Sequence, residues 1–120
     1  MKRKIYDKLL IWKKEKIKMP YMLIGARQTG KTYILTEFCK NEFENYLYLN
    51  LDNMPEIKEI FENTIEPEKI IKNIEAILSI DINIENTIIF IDEIQVSEKA
   101  ICSLKYFFES EKNYKIIVAG

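Results

Sequence analysis

Apolar positions along the 120-residue chain switch between helical spacing and short continuous runs. Residues 3–18 read as a helix, with Ile5, Leu9 and Trp12 on one face and Tyr6 and Leu10 beside them. Met19-Pro20 closes it, because proline disfavours the helical region for the residue before it. YMLIG (21–25) is a short apolar run that stops at glycine and reads as a buried strand. GKTYILTEFCKNEF then places Ile34, Leu35, Phe38 and Cys39 on one helical face. YLYLNL (46–51) is a second strand. Pro55 opens a short helix with Ile57, Ile60 and Phe61 on one side. Pro67 opens another that carries Ile70, Ile71, Ile74, Ile77 and Leu78. Proline suits a first helical turn, where its missing N–H costs no hydrogen bond. DINIENT (81–87) is polar and loop-like. TIIFIDE is apolar at consecutive positions, as in a parallel strand buried on both faces. SEKAICSLKYFFES is a helix with Ser97 as its cap, and YKIIVAG (114–120) is a fourth strand.

Strands that alternate with helices predict an α/β fold around a parallel sheet. Composition adds little to this and removes several alternatives. Eighteen basic against nineteen acidic residues leave a net charge of −1, so no whole-protein attraction to nucleic acid is indicated. The basic charge is local. Within 1–18, eight Lys/Arg less two Asp/Glu leave +6, on the outer face of the first helix. That face is read as solvated, with nucleic-acid contact as the lesser reading. The absence of histidine excludes a His-containing zinc site and a His-based triad. Cys39 and Cys102 lack metal-type spacing and read as two buried thiols in a reducing compartment. No apolar run has the length of a membrane span and no signal-peptide core is visible, so a cytoplasmic, membrane-free protein is expected.

Glycine is nearly avoided: of the three, Gly25 and Gly30 fall within eight residues of each other. That segment, GARQTGKT (25–32), matches G-x-x-x-x-G-K-[ST], the P-loop. A strand ends at Gly25 and a helix begins near Gly30. Between them, backbone N–H groups can converge into an anion nest, reinforced by the helix N-terminus. The expected phosphate-binding residues are Gly25, Ala26, Arg27, Gln28, Thr29, Gly30, Lys31, Thr32 and Tyr33. Lys31 would reach the β- and γ-phosphates, and the Thr32 hydroxyl would ligate Mg²⁺. Arg27 has two readings, phosphate contact or an outward projection.

IIFIDE has the form of a Walker B motif, with Asp92 and Glu93 at the carboxyl end of a buried strand. Ligands of parallel α/β sheets bind at that end. Asp92 can hold Mg²⁺, and Glu93 can act as general base toward water. Asn50 could hydrogen-bond Glu93 or be an ordinary strand-end residue. Gln95 follows Glu93 closely and is a candidate to face the γ-phosphate. Trp12 and the other aromatic residues read as core.

On LIGARQTGKT, YLNLD, IFIDEIQ and IIVAG, with IWKKE ahead of them, the chain resembles an AAA+-type ATPase. More closely, it looks like the bacterial and archaeal ATPases whose N-terminal AAA domain precedes a C-terminal domain of unknown function. The resemblance implies a P-loop NTPase core of three α/β/α layers with a parallel sheet of about four strands. It implies a basic amphipathic helix over 1–19 and an ATPase core over 20–120, truncated after the fourth strand. KIIVAG would lie between the P-loop strand and IIFIDE. ATP and Mg²⁺ are the implied cofactors, Lys31 and Glu93 the implied catalytic residues, and ATP hydrolysis to ADP and phosphate the implied reaction. The preference for adenine comes from the resemblance alone, and no guanine-type NKxD signature is present. The sensor residue, an outer strand and the C-terminal domain would be missing. Only Arg3 and Arg27 could supply an arginine finger, so this segment alone is expected to turn over slowly or not at all. The alternative is a nucleotide-gated switch, in which binding rather than turnover is the function. With its outer neighbour missing, the P-loop strand would be a sheet edge, and exposed edges invite pairing. The chain is therefore expected to self-associate. Light scattering across the micromolar range should show mass rising with concentration, and a monomer throughout would contradict this.

Overall fold

In the computed structural model, residues 2–16, 19–24 and 31–120 are described. Five helices and four strands follow the order read from the sequence. Helix α1 (Lys2–Lys14) precedes strand β1 (Tyr21–Leu23), helix α2 (Lys31–Glu42) and strand β2 (Asn45–Asn50). Helices α3 (Pro55–Asn63) and α4 (Pro67–Leu78) lead to β3 (Thr87–Asp92). A short 3₁₀ turn (Ile94–Val96), helix α5 (Glu98–Glu109) and β4 (Lys115–Ala119) complete the chain. All strand pairs are parallel, in the order β1-β4-β3-β2. β4 thus separates β1 from β3.

Alternation along the strands splits the core in two. Ile88, Phe90, Ile117 and Ala119 face Leu9 and Trp12 of α1 and Leu35, Phe38 and Cys39 of α2. Ile89, Ile91, Ile116 and Val118 face α3, α4 and α5 through Ile57, Phe61, Ile70, Ile74, Leu104 and Phe107. β3 is buried at all six positions, because helices cover both faces and strands flank both edges. The Ser97 hydroxyl accepts the Ala100 N–H at 3.1 Å, which caps α5, and also bonds Glu62 of α3.

Several expectations shift. α1 ends at Lys14 rather than Lys18, and residues 17 and 18 lie outside the described residues. Beyond it the Trp12 indole N–H donates to the Met19 carbonyl at 2.6 Å, so the chain turns back across the end of the helix. β1 is not a buried strand. Tyr21 and Leu23 pack toward α1 and α2, but Met22 stays 49% exposed. β1 contributes nothing to the core under α3–α5, and its sole strand neighbour is β4. Ile77 is also exposed, one position off the buried Ile70–Ile71–Ile74 stripe. Cys39 is buried, and burial pushes its thiol up to about 12, whereas Cys102 is exposed. α5 turns Ala100, Ser103, Leu104 and Phe107 inward, which leaves position 102 outside.

Phe90 is fully buried and meets Tyr48 edge-on at 5.1 Å between ring centroids. Phe90→Ala should cost about 3–5 kcal/mol in urea denaturation, while Ile77→Ala should stay within about 0.5 kcal/mol. Equal costs at the two positions would contradict this division of the core.

Candidate functional site

The helix after β1 lies on one face of the sheet, and the helices after β2 and β3 lie on the other. Chain segments leaving the carboxyl edge therefore diverge, which is where parallel sheets open a crevice. Asp92 ends β3 at this edge, two residues beyond Phe90 and on the same face, toward α2. Thr32 sits in the first turn of α2. Its hydroxyl donates to Asp92 Oδ2 at 3.0 Å, joining segments sixty positions apart.

Asp92 is 3% exposed, and a carboxylate so buried needs donors. The Tyr48 hydroxyl donates to the same Oδ2 at 2.7 Å. The Glu93 N–H donates to Oδ1 at 2.9 Å. Tyr48 sits opposite Phe90 in register, so its side chain shares the face of Asp92. Asn50 Nδ2 in turn donates to the Tyr48 hydroxyl at 3.2 Å. Asn50 Oδ1 accepts the N–H groups of Asp52 and Asn53 at 2.9 and 3.2 Å, which closes the turn after β2. Asn50 thus takes the ordinary strand-end reading, one step behind Asp92. The partner of Glu93 is Gln95, whose Nε2 donates to Glu93 Oε1 at 2.6 Å. Glu93 itself adopts a left-handed conformation, φ 54°, at the junction between β3 and the 3₁₀ turn.

Gly25, Ala26, Arg27, Gln28, Thr29 and Gly30 lie outside the described residues. Lys31 begins α2, directly before Thr32. Tyr33 is 61% exposed. Arg3 is exposed on α1. Tyr48 was missed in the sequence. Its signal is the two-residue offset from Asn50, which carries meaning only once β2 is known to flank β3.

The sequence profile of the AAA domain matches residues 18–120. The chain belongs to the AAA domain family. No curated protein and no solved structure matches it. An AAA domain is a nucleotide-binding P-loop fold, and ATP binding and hydrolysis are the general activity of that class. The described residues include no helix long and apolar enough to cross a membrane. They also include no group of three or more His, Cys, Asp or Glu able to hold a metal. A cation in this AAA domain would therefore need phosphate and water oxygens as well. Mg²⁺ is bound in that way, through one or two protein oxygens plus substrate phosphates. Thr32 Oγ1 and Asp92 Oδ2, 3.0 Å apart, are hard oxygen donors. Such oxygens suit Mg²⁺, which the Thr32 hydroxyl would ligate and the Asp92 carboxylate would hold through water.

Burial, and then the hydrogen bond to Asp92, push Tyr48 from 10.0 up to about 12. The protonated hydroxyl is the donor, so its contribution is complete below the unfolded value of 10.0. It is lost as pH rises through about 12. Tyr48→Phe should destabilise by about 1.5–3 kcal/mol at neutral pH. The difference from the unsubstituted chain should shrink between pH 10 and about 12 in urea denaturation. A difference independent of pH would show that the hydroxyl does not act through Asp92.

Proposed function

We propose that this AAA domain binds ATP with Mg²⁺ and hydrolyses it to ADP and phosphate. The contact between Thr32 and Asp92 at 3.0 Å carries the reading, because it joins the segment after the P-loop to the end of β3. On this reading the N–H groups of 25–32 and the Lys31 ammonium hold the β- and γ-phosphates. The Thr32 hydroxyl and the Asp92 carboxylate hold Mg²⁺, with Tyr48 keeping Asp92 in orientation. When bound, Mg²⁺ neutralises charge that develops on the phosphate oxygens. Glu93 takes a proton from the attacking water as its oxygen bonds to the γ-phosphorus. The bond from that phosphorus to the bridging oxygen breaks, and ADP leaves with the electron pair. An arginine from a neighbouring copy would complete the site. The open edge of β1 supports self-association as the route by which copies meet.

Calorimetric titration of Mg²⁺·ATP should give saturable binding. Lys31→Ala should weaken it about ten- to a hundredfold, the value of a charge-assisted contact. Glu93→Gln should preserve binding and lower turnover by about 10²–10⁴. Equal loss of binding and turnover in Glu93→Gln would overturn the assignment of the base. Unaltered binding in Lys31→Ala would overturn the phosphate cradle.

A further inference from the structure

Glu93, the base of the reading above, stands on a short surface turn, and its carboxylate accepts the Gln95 Nε2–H at 2.6 Å. Gln95 is itself confined. Gly120, the first residue past β4, presents its bare Cα to the Gln95 carboxamide. A Cβ built at Gly120 would collide with Gln95 Oε1 and would also meet Gln95 Cδ and N at 3.4 Å. Gly120 is fixed in turn by its N–H, which donates to the Leu23 carbonyl of β1 at 3.3 Å. β1 runs directly into the P-loop segment. A continuous series of contacts therefore runs from the end of β1, through Gly120 and Gln95, to the Glu93 carboxylate. The left-handed turn at Glu93, φ 54°, brings the Gln95 amide back within reach of its neighbour two positions away. Among the described non-glycine residues that conformation recurs only at Ser79, so it is a specific local feature and not a habit of the chain.

We propose that Gln95 is the positioning residue for Glu93, and that Gly120 is the seat that keeps Gln95 in place. The inference rests on the reading of Glu93 as general base. An amide N–H on one carboxylate oxygen fixes the plane of the group and leaves the other oxygen to meet water. Glycine at 120 leaves room for this position of the carboxamide, which a Cβ there would displace. Displacement of the end of β4 or β1 would be felt at Glu93 while Asp92, held from the sheet interior, keeps its position.

Two measurements on the 120-residue chain test the seat and the hydrogen bond without turnover. In ¹⁵N spectra the Gln95 side-chain amide should shift upfield and exchange faster in Glu93→Ala and in Gly120→Ala, and remain unchanged in Lys31→Ala. In urea, Gly120→Ala should lower the unfolding midpoint, and that shift should nearly vanish in a Gln95→Ala background. Equal shifts in both backgrounds, or an amide signal indifferent to Glu93→Ala, would overturn the proposal. In ATP turnover, Gln95→Met and Gly120→Ala should lower kcat about ten- to a hundredfold with KM and Mg²⁺·ATP affinity unchanged. Turnover unaffected by Glu93→Gln would refute the general base and leave the tether to be judged by the spectra and midpoints. Turnover abolished by Glu93→Gln yet untouched in Gln95→Met would refute the positioning role alone.

Discussion

A carboxylate that keeps 3% of its surface at the end of a doubly buried strand is the constraint on which the carboxyl edge depends. An unpaired charge there would cost several kcal/mol, so the surrounding chain must deliver donors. It delivers them from three separate places. Thr32 comes from the start of α2, Tyr48 from the neighbouring strand, and the Glu93 N–H from the turn that follows. Hydrogen bonds to a charged group contribute about 1.5–3 kcal/mol each, so together they offset the burial of Asp92. The same bonds tie helix α2, strand β2 and the 3₁₀ turn to one point. α2 also brings its N-terminus to the carboxylate, an arrangement the helix dipole favours.

Strand order explains how β1 and β3 serve one site without touching. β4 lies between them, in register with both. α2 lies on the face it shares with α1 and packs over β3 and β2. Its first turn arrives over the end of β3, where Thr32 meets Asp92. β4 contributes no side chain to that contact. It sets the separation of β1 from β3, and Gly120, just past it, meets β1 and the turn after β3 by different means. One is a backbone hydrogen bond to Leu23, and the other is a close approach to Gln95.

Much of this was legible in the sequence, for identifiable reasons. Continuous apolar runs mark β3 and β4 because helices cover both their faces, and burial then keeps the middle of each strand apolar. Pro55 and Pro67 mark helix starts because an N-terminal turn has no use for their missing N–H. Ser97 marks α5 through a local bond spanning three residues. What was not legible depends on neighbours distant in sequence. YMLIG resembles a buried strand in composition, and its exposure follows from an edge position that composition does not encode. Ile77 and Cys102 required the helix phase to be fixed against a particular sheet. Asn50 draws attention as a polar strand end, yet it acts on Asp92 through Tyr48, an aromatic residue that passes for ordinary packing. Gly120 reads as the end of a strand. The room its bare Cα leaves is taken by a side chain twenty-five positions earlier.

The two acidic neighbours are held in opposite ways, and that difference has a mechanical consequence. Asp92 Oδ1 accepts the Glu93 N–H, and the Asp92 carbonyl accepts the Leu51 N–H at 3.1 Å. These bonds over-determine the junction and sustain the left-handed Glu93, a conformation that costs roughly 1–2 kcal/mol for a residue with a Cβ. The backbone of Glu93 is therefore as firmly set as the strand it leaves. Its carboxylate is not, because its partner is an exposed glutamine on a single 3₁₀ turn. Interior bonds resist displacement, while surface bonds follow whatever moves the segment they rest on. On the proposed reading, the half of the site that would hold metal belongs to the core of the sheet, and the half that would activate water belongs to its edge, where β1, β4 and the turn meet. A change at that edge would then alter how fast phosphate is transferred without altering how tightly nucleotide is held, because the groups proposed to grip and the group proposed to activate water answer to different parts of the fold.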